Sequence, residues 1–265
     1  MNLYYFISGL PRSGSTLLSS ILSQNPNFYA DISSPLESAT GMCLEVISAS
    51  EFNLLVNEEQ RKNVIYGIFD GYYKHRKEQI IFDTSRTWTK KTSFLKSLFP
   101  YTKILCTVRD IVSILNSFEI IFSKNPFYSN TIVEESSLES CFERCDLLMK
   151  PADGTVSKSL MWLNEGYYFN PEMIYIIEYE DLCREPEKTM RQIYEFLEKP
   201  YFPHNFKEVG YSNDLFDEKC NLKGLHTVRN EVEYNPPRNI LPPEIVKKYS
   251  GLEFWRKQQN LQIQY

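Results

Sequence analysis

The segment GLPRSGSTLL near the amino terminus places glycines, hydroxyl side chains and a cation directly after an apolar run. Gly9, Gly14 and Thr16 match three positions of the phosphate-loop pattern G-x-x-x-x-G-K-[ST]. Ser15, however, occupies the position of the lysine. Unpaired backbone N–H groups beside a helix N-terminus favour an anion, and Arg12 supplies a cation before the turn. An ordinary capped helix would explain the same letters less fully, because so many polar donors separate two apolar segments.

A second pair of polar residues follows a later apolar run, KILCTV. Arg109 and Asp110 come directly after that run, and Ser117 follows Arg109 by eight residues, about two helical turns. Arg109 and Ser117 could therefore reach a second phosphate group from one side. Taken alone, the pattern also fits a local ion pair between Arg109 and Asp110.

Four short apolar runs predict the buried strands that would position these residues. Their apolar residues do not alternate cleanly with polar ones, as expected for a parallel sheet with helices on both faces. Segments with helical spacing follow the loop and the third run. We predict an α/β fold of the P-loop type with three αβα layers, a central parallel sheet of four to five strands, and helical insertions. The runs are LYYFIS (3–8), QIIFD (79–83), KILCTV (103–108) and MIYIIEY (173–179).

The length of 265 residues and a hydrophobic content of 42% predict one domain over residues 1–265. Its core would span about residues 1–200, and about 210–265 would form a C-terminal lid or wrap. The long linking segments 32–76 and 125–168 contain helical patterns, and such insertions usually build the substrate side of an α/β enzyme.

Charge and cysteine content restrict the partners. The net charge is −5 and no long basic run is present, which disfavours binding to nucleic acid or to an anionic membrane surface. No apolar run approaches the ~20 residues needed to cross a bilayer. The six cysteines form no C-x-x-C pair, and Cys141 and Cys145 have no histidines nearby, so we expect no metal site. Free thiols predict a reducing, cytoplasmic location.

Taken together, these elements resemble the sulfotransferases that depend on 3′-phosphoadenosine 5′-phosphosulfate (PAPS). GLPRSGSTLL is similar to the family's 5′-phosphosulfate loop, P-[KR]-S-G-[ST]-T-x-L, and is closest to the loops of bacterial-type and tyrosylprotein-type members. VRDIVSILNS is similar to the 3′-phosphate element, and IEYEDLCREPEKTMRQIYEFL to the segment Y-E-D-L…P…I…F-L. The resemblance covers about residues 3–200. It implies in-line transfer of the sulfuryl group from PAPS to an acceptor hydroxyl or amine, with release of adenosine 3′,5′-bisphosphate (PAP).

The resemblance also implies roles for individual residues. Arg12 would contact the 5′-phosphate and the leaving oxygen, while Arg109 and Ser117 would hold the 3′-phosphate. Tyr179 would lie on the adenine side, and Arg229 would return from the C-terminal segment to the 3′-phosphate. The loop residues of this set are Pro11, Arg12, Ser13, Gly14, Ser15 and Thr16. PAPS carries no triphosphate chain, so the family pattern explains why no lysine is needed.

The general base is left open by the sequence. Relatives that act on phenols and steroids use a histidine shortly after the second strand, and none stands there in this chain. Glu37 and Asp83 are equal candidates by position, with Asp31 and His226 as further ones. Arg86 would contact the sulfate or the acceptor. Glu37 could instead simply begin a helix, and Asp83 could form a structural ion pair with Arg86.

The acceptor, a small molecule or a peptide, is also left open. Aromatic residues that could line its pocket are Trp88, Phe127, Tyr128 and Trp162. Lys223, Thr227 and Val228 are similar to a dimer segment of cytosolic sulfotransferases, which would allow a homodimer, although its closing glutamate is out of place.

Two other functions are compatible with the loop. A P-loop kinase for a small metabolite or nucleotide would need Arg12 near the phosphates and Asp83 as a magnesium ligand. A binding module for PAPS or PAP without transfer activity would use the same anion sites and lack an acceptor pocket.

Overall fold

The computed structural model describes residues 3–125, 140–219 and 221–259, so Phe127 and Tyr128 lie outside the described residues. Five strands form one parallel sheet in the order β2-β3-β1-β4-β5. The predicted α/β fold with a parallel sheet of four to five strands is confirmed. The strands are β1 (Leu3–Gly9), β2 (Phe28–Ala30), β3 (Ile80–Thr84), β4 (Ile104–Val108) and β5 (Ile174–Glu178).

Helices cover both faces of this sheet and lie in both predicted insertions, the second of which is described from residue 140 onward. Several begin at a side chain that satisfies the exposed N–H groups of the first turn, as Asp110 does for Ser113 at 2.8 Å. The helices are α1 (Ser15–Leu22), α2 (Leu36–Ile47), α3 (Phe52–Leu55), α4 (Glu58–Tyr72), α5 (Thr92–Leu98), α6 (Ile111–Lys124), α7 (Cys141–Leu148), α8 (Thr155–Phe169), α9 (Tyr179–Arg184), α10 (Pro186–Phe196), α11 (Asp214–Lys219), α12 (Pro243–Tyr249) and α13 (Phe254–Gln259). None of these helices, within the described ranges, has both the length and the apolarity needed to cross a membrane.

Successive residues of each central strand point into two separate apolar clusters. Tyr4 and Phe6 of β1 belong to one cluster, and Tyr5 and Ile7 belong to the other. Because side chains alternate across a strand, a sheet buried on both faces requires apolar residues at nearly every position. This burial fixes the register of β1, β3 and β4, and therefore fixes where their carboxyl ends lie.

The C-terminal part of the chain packs on both clusters. Val209 joins the cluster that contains Ile7, whereas Leu222 and Trp255 join the cluster that contains Phe6. Between these anchors the backbone folds back on itself through an antiparallel bridge, in which the Val228 N–H donates to the Tyr211 carbonyl at 2.8 Å. The segment 224–237 thereby crosses the carboxyl edge of the sheet.

Candidate functional site

A cavity of about 920 Å³ opens at the carboxyl ends of β1, β3 and β4 and is covered by the segment 224–237. This edge is where open α/β sheets bind ligands. Ser13, Asp31 and Asp83 are absent from the described wall of the cavity. The predicted site residues that line it are Pro11, Arg12, Gly14, Ser15, Thr16, Glu37, Arg86, Arg109, Ser117, Tyr179, His226 and Arg229.

The loop after β1 is held by two glycines in the left-handed region. Gly9 has a φ of 112°, and a Cβ there would overlap the Thr107 carbonyl of the neighbouring strand. Gly14 has a φ of 93° and precedes α1, which has no side-chain cap among the described residues. The first N–H groups of α1 therefore remain available to a ligand, and the alternative of an ordinary capped helix does not hold.

Ser13 serves the scaffold and does not line the cavity. Its buried hydroxyl lies 2.5 Å from the Leu10 carbonyl, 2.9 Å from the Thr107 carbonyl and 2.8 Å from the Thr107 hydroxyl. The prediction that this hydroxyl adds a donor to the anion site is corrected, because the bonds to β4 hold it beneath the loop.

Arg12 connects three parts of the cavity wall. Its Nε donates to the Ser117 hydroxyl at 3.1 Å, and its Nη1 donates to the Leu225 carbonyl of the covering segment. Burial, and then the nearby Arg109, lower the pKa of the Arg12 guanidinium to about 10. The two positive charges repel each other, and bound anions reduce that repulsion.

Arg109 is almost fully buried, with 7% of its surface exposed. Its Nη1 donates weakly to the Arg12 carbonyl at 3.4 Å, and Glu180 lies 3.9 Å from its Nε. That Nε has no hydrogen-bond partner within the described ranges. A buried guanidinium with an unused donor is costly for the free protein, and this is expected where a ligand completes the bonding.

Tyr179 packs between the loop and Arg109. The Arg109 guanidinium lies 4.4 Å above the centre of the Tyr179 ring, and a Cβ at Gly14 would come within 2.7 Å of that ring. Burial raises the pKa of Tyr179 to about 12, while Arg109 and Arg229 act in the opposite direction. Arg229 is exposed and also lines the cavity.

Asp83 does not line the cavity, which contradicts its expected role as a base. Its carboxylate is fully buried and accepts hydrogen bonds from Ser34 at 2.6 Å, Tyr73 at 2.6 Å and Trp88 at 2.7 Å. Burial raises the pKa of Asp83, and the three donors partly offset that rise. Trp88, expected in an acceptor pocket, is buried beside it, and Trp162 does not line the cavity in its described part.

The other two carboxylate candidates are also engaged. Asp31 accepts from the Tyr29 hydroxyl at 3.0 Å and from the Ile32 N–H at 2.7 Å. Glu37 lines the cavity, but its carboxylate lies 2.6 Å from the Lys91 ammonium, and the Glu37 carbonyl accepts a second bond from that group. The Glu37 carboxylate is therefore already held in an ion pair at the cavity wall.

Arg86 extends into the cavity from the turn after β3. The Ser8 hydroxyl of β1 donates to the Arg86 carbonyl at 3.0 Å and so fixes this turn against the loop strand. Solvent reaches the side chain through the cavity, yet the surrounding protein lowers the pKa of its guanidinium by desolvation. Nothing in the described part of the chain pairs with that guanidinium through a hydrogen bond or ion pair.

His226 lines the cavity from the covering segment and contacts a carboxylate that the sequence analysis missed. Asp217 of α11 lies 2.6 Å from the His226 Nδ1 and accepts from the His226 N–H at 2.9 Å. No periodic pattern predicts this pairing, because a turn within an irregular segment brings the two residues together. Burial lowers the pKa of His226, and Asp217 opposes that effect.

One group of metal-type ligands lies outside the cavity. In the portion that the structure describes, Glu119, Cys141 and Cys145 bring ligand atoms within 4.8 Å of one another. Arg144 donates to both oxygens of the Glu119 carboxylate, at 2.9 and 2.6 Å, and so already compensates its charge.

Comparisons with known proteins agree on one family. The family model described as Sulfotransferase family matches residues 5–203. The sulfotransferase domain from the curacin biosynthetic pathway is 18% identical, with a TM-score of 0.53 over 100% of this chain and 98% of that chain. A mouse sulfotransferase, SULT7A1, complexed with PAP, is 16% identical with a TM-score of 0.53 over 97% and 85%. The sulfotransferase domain of the Synechococcus PCC 7002 olefin synthase is 17% identical with a TM-score of 0.50 over 100% and 95%. No curated protein matches the chain.

Proposed function

This chain belongs to the sulfotransferase family, and we propose that it transfers the sulfuryl group of PAPS to an acceptor hydroxyl or amine and releases PAP. The observation that carries this proposal is the pair of opposed guanidiniums, Arg12 and Arg109, beside the uncapped start of α1. Together they provide two anion sites within one cavity. PAPS has two anionic ends, a 5′-phosphosulfate and a 3′-phosphate, that such a pair can take.

The residues fit the donor in a defined order. The N–H groups at the start of α1 and the Arg12 guanidinium suit the 5′-phosphosulfate, as does the hydroxyl of Thr16. Arg109, with its unused buried Nε, suits the 3′-phosphate, and Ser117, which accepts a hydrogen bond from Arg12, lines the same cavity. Arg229 lines the cavity from the covering segment and would approach the 3′-phosphate, while Tyr179 would lie on the adenine side.

Catalysis would come from position and charge. The cavity holds donor and acceptor in line, and Arg12 stabilises the charge that develops on the leaving phosphate oxygen. Arg86, whose guanidinium faces the cavity from the other side, would stabilise the transferred sulfuryl group. The surrounding protein partly desolvates these groups, and electrostatic stabilisation is stronger there than in water.

The acceptor's proton needs a base, and His226 fits this role better than the carboxylates. Asp83 and Asp31 do not line the cavity, and Glu37 is paired with Lys91. The pKa of His226 is lowered, so its ring is neutral and can accept a proton at neutral pH.

Several finer features belong to the same proposal. The five described cysteines are free thiols, which supports a cytoplasmic location. We propose a single domain, because residues after 203 pack on the same two clusters as the core. We also propose transfer without a bound metal, no nucleic-acid partner, and an acceptor that is a small molecule or a peptide; a homodimer through residues 223–228 remains a prediction.

The kinase alternative lacks a magnesium ligand, because Asp83 does not line the described part of the cavity. It required Asp83 at the cavity, and all three hydrogen bonds to that carboxylate hold it inside the scaffold. A PAP-binding protein without transfer activity would share the anion sites. The occurrence of Arg86 and His226 in one cavity favours transfer over binding alone.

Calorimetry with PAP, and with ATP and Mg²⁺, tests the donor. We expect PAP to bind without Mg²⁺ and Arg12→Ala to weaken that binding about 100-fold, since a charged hydrogen bond is worth about 3 kcal/mol. Arg191→Ala, an exposed arginine of α10, is the matched control and should bind as the wild type does. Formation of PAP from PAPS with a panel of phenols, sugars, tyrosyl peptides and hydroxyacyl thioesters then tests transfer. Binding of ATP that requires Mg²⁺, without binding of PAP, would overturn the proposal.

A further inference from the structure

Asp217 makes two contacts with one residue of the cavity wall. One carboxylate oxygen, Oδ2, accepts from the His226 N–H at 2.9 Å, and the other, Oδ1, lies 2.6 Å from the His226 Nδ1. Asp217 itself is fully buried. Its backbone is fixed at both sides, because its N–H donates to the Asn213 carbonyl and its carbonyl accepts from the Leu222 N–H, each at 3.0 Å.

This geometry determines which ring nitrogen carries the proton. An ionised carboxylate can only accept, so the short contact to Nδ1 requires a hydrogen on that nitrogen. In a neutral ring the lone pair then belongs to Nε2. The contact from Oδ2 to the backbone prevents Asp217 from turning away, so orientation and tautomer are fixed by one side chain.

We propose that Asp217 is a positioning residue that holds His226 in the Nδ1–H tautomer, with Nε2 as the base of sulfuryl transfer. This inference rests on the proposed function. As the acceptor oxygen or nitrogen bonds to sulfur, its proton passes to Nε2, the bond from sulfur to the phosphate oxygen breaks, and PAP leaves with that electron pair. The Asp217 carboxylate keeps its contact to Nδ1 throughout and stabilises the imidazolium that forms.

The charges around the ring explain why such a residue is needed. Arg12 from the loop and Arg86 from the turn after β3 both lower the pKa of His226, in addition to the effect of burial. Without a carboxylate, two guanidiniums would leave the imidazole a poor proton acceptor. Asp217, from α11, raises the pKa and counteracts the two cations.

Nitrogen-15 NMR of the full chain with PAP bound tests the tautomer directly. The chain has three histidines, so the spectrum of His226→Gln identifies the His226 signals. We expect the Nδ1–H form in the wild type. In Asp217→Asn the amide oxygen would accept from the His226 N–H, which leaves the amide NH₂ facing Nδ1, and the ring should change to the Nε2–H form.

Glu218→Gln is the matched control, because it removes the same charge from the next, exposed residue and should keep the Nδ1–H form. With PAPS and an acceptor from the panel, Asp217→Asn should lower kcat about 100-fold while the KM for PAPS changes less than about twofold.

The outcomes separate the two proposals. An Nε2–H ring in the wild type, or the same tautomer in Asp217→Asn as in the wild type, would overturn the role of Asp217 even where PAPS is turned over. Failure of PAP to bind would instead overturn the proposed function. The wild-type spectrum alone is decisive where Asp217→Asn does not fold.

Discussion

The cavity has two walls that are built in different ways. The first consists of the loop after β1 and Arg109 after β4, and buried strands with a fixed register set the position of both. The second is the covering segment 224–237, which is largely irregular and is held by separate contacts such as the Arg12 bond to Leu225 and the Asp217 contacts to His226. The donor-binding wall is thus part of the core, whereas the wall that carries the base depends on a few bonds.

Substitution of the proposed base, His226, should give the largest loss of activity and should distinguish the roles of the two walls. We expect His226→Gln to lower kcat about 1000-fold, since a positioned base contributes about that much, and to leave the Kd for PAP unchanged. Rates of PAP formation and calorimetry measure the two quantities. Glu37→Gln is the comparison variant, and a loss of activity confined to Glu37→Gln would show that the base belongs to α2 instead.

Removal of single arginines should show a smaller, graded effect on donor binding. Arg109→Ala removes a buried cation, so we expect the Kd for PAP to rise about 100-fold, corresponding to about 3 kcal/mol. Arg229→Ala removes an exposed cation of the covering segment and should cost about 1 kcal/mol, or about fivefold. Calorimetry at one ionic strength measures both. Equal losses would mean that the covering segment binds the donor as firmly as the strand ends do.

The folding stability of the scaffold beneath the donor-binding wall should depend on pH. His204 contacts Tyr194 of α10 at 3.1 Å, and burial lowers the pKa of His204 from 6.5 to about 4. Because the unfolded chain takes up this proton first, the stabilising effect of a neutral His204 is complete above pH 6.5 and is lost as the pH falls towards 4.

Thermal unfolding between these pH values measures that loss. We expect the fall in Tm with acidity to be shallower in His204→Gln than in the wild type. His75→Gln, which changes an exposed histidine of the same chain, should retain the wild-type slope. Identical slopes in all three proteins would show that His204 is not the group responsible.

The same contrast between the two walls explains how much of the fold and of the site can be predicted from the sequence. Four of the five strands and the loop follow from local apolar runs and glycine spacing, and Arg109 follows because it stands directly after a strand. Strand β2 has only three residues, which is too short to give a pattern. Asp83 lies near the end of β3, where its predicted run ends, but its three hydrogen bonds hold its carboxylate away from the cavity.

Whether a polar side chain faces the cavity depends on tertiary contacts that leave no periodic pattern in the sequence. Asp83 is removed from the cavity by donors from Tyr73 and Trp88, which belong to other elements and read as ordinary core aromatics. Asp217 gave no signal because only the return of the covering segment brings it to His226. Such pairings require the tertiary fold, and a single sequence contains no local pattern for them.

The stack of Gly14, Tyr179 and Arg109 has a consequence for how this chain can change over evolutionary time. A Cβ at Gly14 would come within 2.7 Å of the Tyr179 ring, and that ring lies 4.4 Å beneath the Arg109 guanidinium. Gly14 precedes α1, whereas Tyr179 and Arg109 directly follow β5 and β4. A side chain added at Gly14 would displace the Tyr179 ring and with it the contact to Arg109, so a larger residue at position 14 requires a smaller one at position 179, and the two substitutions are non-additive.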